Sequence, residues 1–184
     1  MKTKHLCLFG LLFFLISYVF FSNILLDFKQ SIDFAHWFNL IGACLLSSFN
    51  DVFPKNKLSF LASIATTLGV IAHVGLCTID FIMWSYQNNE IAKQALSVQI
   101  SNTPSIFYPF IVIGPSLLFI GLSLHALNFI KSHLVLALMV AISSIAIGFS
   151  FFVLKDGIYM LLSCVVFVSG LGFLICKNDN SKLY

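Results

Sequence analysis

The strongest constraint on this chain is a repeated length. Residues 134–154, 157–176 and 34–50 carry no Asp, Glu, Lys or Arg at all. A helix needs about 20 apolar residues to cross a hydrocarbon core roughly 30 Å thick. In such a core each backbone N–H and C=O must find its partner within the protein, so an uninterrupted apolar run of that length reads as a helix. Composition agrees, because 59% of the 184 residues are hydrophobic and only 9% are charged. Soluble domains carry about 25% charged residues.

Six spans are expected, at 5–26, 32–53, 58–86, 105–130, 133–153 and 157–176, with short connections except for the loop 87–104. The second is the weakest, since Asp33, Asn39, Asn50 and Asp51 dilute it. Without it there would be five spans and termini on opposite sides. The lysines arbitrate. With six spans, Lys2, Lys4, Lys55, Lys57, Lys131, Lys177 and Lys182 fall on one side, against Lys29, Lys93 and Lys155 on the other. That asymmetry follows the positive-inside rule. The expected architecture is therefore an all-α integral membrane protein, a six-transmembrane-helix bundle in one domain over 1–184, with cytoplasmic N- and C-termini. The N-terminal run resembles a signal peptide in its charged start, but it ends in bulky residues rather than a small-x-small site, which predicts a retained first span. Richness in Phe, Ile, Lys and Asn fits an AT-rich genome, so the cell membrane of a bacterium, its inner membrane, is the expected location.

Several function classes drop out. All ten basic residues are Lys, which removes the bidentate clamps that Arg provides. A dispersed net charge of +3 argues against nucleic acid. Cys7, Cys44, Cys77, Cys164 and Cys176 form no C-x-x-C pair and read as small buried hydrophobes. Hydrolase, kinase and zinc-protease motifs are missing, so no cofactor or metal is expected, and a lipid-modifying or redox enzyme ranks last among the readings for want of a nucleophile or cofactor motif. A b-type haem needs two histidines facing each other at one depth, and His36, His73 and His125 fall at three. The partners expected are the lipid bilayer and either a second copy or another membrane protein.

Ionisable residues inside the runs are the candidate site. The stretch 71–84, IAHVGLCTIDFIMW, holds His73 and Asp80. At helical spacing Ser63, Thr66, Val70, His73, Cys77, Asp80 and Trp84 share one face. Such groups mark polar paths or bind helices together. Depth in the six-span topology pairs Asp80 with His36 at the outer end. It brings Asn50 and Asp51 near His125 and Asn128 at the inner end, with His73 between. The candidate site is His73, Asp80, His36, Cys77 and His125. One reading is a broken ladder of titratable groups in a small proton-linked transporter or permease, since histidine changes charge near physiological pH. The other is a non-catalytic assembly or sensory subunit whose polar residues join helices, at under ~2 kcal/mol each.

Four secondary expectations follow. Ile91, Ala95 and Val98 predict an amphipathic helix lying on the outer interface, stopped at Asn102-Thr103-Pro104. Trp37, Trp84, Tyr86 and Tyr108 suit an interfacial aromatic belt. Gly114 and Gly121 share a face with His125; Ser144 with Gly148, and Ser169, Gly170 and Gly172, predict close helix packing. Pro109 and the Gly114-Pro115 step predict a kink or break in the fourth span.

Overall fold

The computed structural model describes residues 3–22, 24, 31–86 and 88–180. Lys2, Lys29 and Lys182, the end of the first span at 25–26 and the start of the long loop at 87 lie outside the described residues. The described elements are helical throughout, with no strand among them. They are α1 (Thr3–Phe21), α2 (Ser31–Leu46), α3 (Phe49–Val52), α4 (Lys57–Ser85), α5 (Glu90–Ser101), α6 (Pro104–Phe107), α7 (Ile113–Leu127), α8 (Leu134–Phe149) and α9 (Gly157–Asn180). Two π-helical turns, Tyr108–Val112 and Ser150–Leu154, precede α7 and follow α8.

Five helical runs are long and apolar enough to cross a membrane: Thr3–Phe21, Lys57–Ser85, Pro104–Leu127, Leu134–Leu154 and Gly157–Lys177. The stretch expected as a further span, 32–53, is divided. α2 has 16 residues, about 24 Å of helix. It ends where the Ser47 hydroxyl donates to the Cys44 carbonyl at 2.6 Å and the Ser48 hydroxyl to that of Leu45. Serine hydroxyls bonded back to the preceding turn compete with the backbone ladder, and the helix resumes only as the single turn of α3.

The long helices close into a ring. α1 packs on α2, α2 on α4, α4 on α7, α7 on α8, α8 on α9, and α9 returns to α1. Phe14, Leu118, Leu122, Ile147, Phe167 and Leu171 fill its interior. The outward surface is apolar, with Phe60, Ile71, Ile113, Ile145, Leu162 and Phe173 all exposed, while Thr66, His73 and Ser143 are buried. This inverts the arrangement of a water-soluble bundle, which seldom exposes contiguous apolar surface on this scale.

Glycines set how closely the ring closes. A Cβ on Gly69 of α4 would stand 2.2 Å from the Leu118 backbone nitrogen of α7, and one on Gly121 would stand 2.4 Å from the Thr66 hydroxyl. Small residues are what allow helix backbones to approach so nearly. The close packing expected at Gly148 and Gly172 is not found, since a Cβ at either would meet nothing within 4 Å. Gly170 does pack, 2.7 Å from Val140 by the same measure.

The bundle has a near end, where the Cys7 thiol lies 3.3 Å from the Ser48 hydroxyl and the 53–57 connection meets Asn128. At its far end Gly157 abuts the backbone of Phe21 and Ser22. α5 lies at the far end with no buried residue; its Ile91 is 86% exposed.

Candidate functional site

The polar stripe of α4 turns inward through its middle and loosens toward its ends. Thr66, His73 and Cys77 are buried, Ser63, Val70 and Asp80 are half-buried, and Trp84 is exposed. The reason is the neighbours: α2 and α7 flank the centre of α4.

At the far end the stripe meets α2. His36 Nε2 lies 2.8 Å from Asp80 Oδ2, with side-chain exposures of 13% and 28%. A carboxylate oxygen only accepts, so Nε2 is the donor. The imidazole is flanked edge-on by Phe21 at 5.1 Å and Phe81 at 6.1 Å between ring centroids. The pair therefore cross-links two helices within an aromatic collar.

Seven residues away, about 10 Å along the axis, His73 is held differently. Its Nδ1 donates to the Gly69 carbonyl at 3.0 Å, one turn back on its own helix. A carbonyl cannot donate, so Nδ1 carries a proton. The imidazole packs against Phe14 (5.9 Å) and Phe119 (6.2 Å). It also lines a cavity of about 70 Å³ whose other walls include Tyr18, Pro115, Ser116, Ile147 and Gly148. That volume would admit about two waters.

A wider funnel of about 710 Å³ opens at the far end between Phe21, Phe107, Ile111, Phe151, Lys155 and Met160. Ile111, Phe151 and Phe152 line both spaces, so the small cavity adjoins the funnel. Both π-helical turns contribute to its wall, through Ile111 and Val112 on one side and Ser150, Phe151 and Phe152 on the other. π-turns inside α-helices occur frequently at functional sites. The first follows from Pro109 and Gly114, since the Pro109 carbonyl would be only 1.8 Å from a Cβ at position 114.

Aromatic rings pack the interior beside His73. Phe14 and Phe119 meet at 5.7 Å, Phe119 and Phe167 at 5.4 Å, and Phe14 and Tyr18 at 5.2 Å. Rings from α1, α7 and α9 thus form a plug on the axis of the ring.

The near end is a separate polar network. His125 Nε2 lies 3.0 Å from Asn50 Oδ1, and Asn50 Nδ2 donates to Thr67 Oγ1 at 3.3 Å. Asn128 accepts from Asn56 at 2.7 Å and donates to Ser59 Oγ at 3.0 Å. Asp51, expected near His125, is instead exposed and bonded to Lys55 at 3.3 Å. The one-residue difference arises because α3 is a single short turn, which aims Asn50 inward and Asp51 out. His125 Nδ1, Thr66 Oγ1, Ser123 Oγ and Asn39 Oδ1 are buried without a partner.

The five candidate residues therefore do not form one site. His36 joins Asp80, His73 faces the cavity, Cys77 is fully buried between them, and His125 belongs to the opposite end. Among the described residues no cluster of three His, Cys, Asp or Glu side chains is placed to hold a metal. Comparison with protein-family models, curated proteins and solved structures returns no match.

The funnel, the plug and the roles of Tyr18, Ser116 and Gly148 carry no periodic signal in the sequence. Only the Pro109 and Gly114-Pro115 interruption pointed toward them. With 21 Phe residues in the chain, nothing local distinguishes the three that meet on the axis.

Proposed function

We propose that this chain is a six-crossing membrane protein, with α2 and α3 together forming the second crossing, and that it acts as a small proton-linked permease caught open to one side. One observation carries the reading. A titratable group at mid-depth, His73, lines a small cavity that adjoins the far-end funnel, and the Phe14, Phe119 and Phe167 rings pack together beside it. Alternating-access carriers expose a central site to one side at a time.

The lysines supply the orientation. Lys55, Lys57 and Lys131 sit at the near end, with Lys93 and Lys155 at the far end. By the positive-inside rule the near end is cytoplasmic, and a bacterial inner membrane is the compartment that fits the composition. In this scheme the His36–Asp80 pair is the outer protonatable element. It ties α2 to α4, so that a change in its charge alters how firmly the two helices are held.

The proton is the co-substrate that the reading names, and it serves as the probe. In vesicles carrying the purified protein and a trapped pH dye, an inward proton gradient should drive acidification several-fold faster than in empty vesicles. Asp80→Asn should return the rate to that of empty vesicles. Equal rates for wild-type and empty vesicles would remove the permease reading.

A second reading is favoured by the near-end network, whose Asn50, Thr67, Asn56, Ser59 and Asn128 side chains bond chiefly to one another. That is how polar groups behave when they join helices. On this reading the chain is an assembly or sensory subunit, with a second copy or another membrane protein as partner. Asp80→Asn would then lower thermal stability in detergent, and no proton movement would be seen in either protein.

A further inference from the structure

We infer that the far-end funnel is a binding site for an anionic amphiphile, with the acidic head at Lys155 and the apolar body lying toward His73. The walls exclude a wholly polar ligand. Phe21, Phe107, Ile111, Phe151, Phe152 and Met160 line the space, and a polar solute entering it would lose its water without gaining hydrogen bonds.

The rim selects the charge. Lys155 ends the second π-turn with φ 52° and ψ 40°, a left-handed conformation in which glycine or asparagine is usual and a long side chain is costly. It is the single non-glycine residue with positive φ among those described. Lysine at such a position is explained by what its ammonium does at the mouth. Among the described residues it has no ion-pair partner. The neighbouring Asp156 is already engaged, since its Oδ1 accepts the backbone N–H groups of Ile158 (2.8 Å) and Tyr159 (3.2 Å) and so caps α9. Asp156 lines the same mouth, but its carboxylate is turned to capping α9 and faces the positive end of that helix, so the Lys155 ammonium is the group there left to meet an anionic head.

The floor completes the match. Gly148 lies seven residues before Lys155, about 10 Å along the helix. Glycine in a helix interior is unfavourable relative to alanine, yet nothing packs on this one and it lines the cavity. Its missing side chain is what leaves the small cavity open beside His73. An apolar body of moderate length therefore spans from Lys155 to this floor.

This inference deepens the permease reading and rests on it only for what becomes of the ligand after binding. The test is photolabelling of the full chain in lipid nanodiscs. The probe is a ten-carbon alkyl sulfonate with a diazirine near its tail; the control is the same chain with a trimethylammonium head. The sulfonate should label Ser116–Phe119 and Gly148–Met160 saturably, and the cationic control should not. Gly148→Leu, which fills the floor, and Lys155→Gly, which removes the ammonium and suits the left-handed backbone, should each reduce saturable labelling at least five-fold. Lys155→Gly is expected to fold at least as well as wild type, so loss of labelling there is not loss of structure. Repeating the label in phosphatidylglycerol and in phosphatidylcholine nanodiscs identifies the source of the anion. Suppression by phosphatidylglycerol alone assigns the site to a bilayer lipid, and equal labelling in both assigns it to a free amphiphile. Unsaturable labelling spread over the lipid-facing helices, or labelling unchanged in both variants, would overturn the inference. Saturable labelling without proton movement in vesicles would defeat the permease reading and leave the ligand class standing.

Discussion

His125 and His73 show how differently one residue type can be used within a single bundle. His125 is buried with Nε2 on Asn50 Oδ1 at 3.0 Å and Nδ1 without a partner. An amide oxygen accepts, so the ring is satisfied on one side only. Asn50→Ala would leave both nitrogens unpaired, and a buried polar group stripped of its partner costs roughly 1–3 kcal/mol. Thermal unfolding in detergent should therefore shift down by several degrees, and an unchanged midpoint would show that the bond contributes nothing. His73, by contrast, has its proton fixed by the Gly69 carbonyl and its ring on a cavity. Both histidines were visible in the sequence as ionisable groups in apolar runs. Which of them faces space and which faces a side chain was not, because that depends on the helix opposite.

Individual helices were legible to the extent that their own composition governs them. The five long apolar helices follow from apolar length alone, and the dilution of 32–53 foretold trouble there. The form of that trouble, two serine hydroxyls bonding back to Cys44 and Leu45 and splitting α2 from α3, arises from hydrogen bonds that a hydropathy count does not weigh. Glycines show the limit more sharply. Gly69 and Gly172 are both small residues in apolar helices, but a Cβ at Gly69 meets the Leu118 backbone at 2.2 Å and one at Gly172 meets nothing. Gly69→Ala should force α4 and α7 apart and cost about 1–3 kcal/mol. Gly172→Ala should be neutral or stabilise by up to ~1 kcal/mol, the helix-propensity difference. Melting temperatures of the two variants, measured side by side, check the contrast; equal shifts would contradict the α4–α7 seam.

At the scale of the whole molecule the organising feature among the described residues is a ring of six helices, plugged inside by Phe14, Phe119 and Phe167. Removing the central ring of that plug should unseal it. In vesicles carrying Phe119→Ala, protons should leak severalfold faster than through wild type with no need of the His36–Asp80 pair, so adding Asp80→Asn should not restore the seal. A pH dye trapped in the vesicles reads both variants, and wild-type rates in Phe119→Ala would show that the ring's interior is closed elsewhere. The amino-acid sequence by itself determined the helical class, the approximate spans, the inward face of α4 and the polar groups that need partners, because each depends on local periodicity and on the cost of placing charge in an apolar run. Depth along the spans had already paired His36 with Asp80, but tertiary structure alone decided that Asn50 rather than Asp51 meets His125, and that three of many phenylalanines close the axis while one glycine leaves a floor open. Those outcomes depend on the rotation and separation of neighbouring helices, set jointly by the small residues on both sides of each seam, and no single segment carries that information.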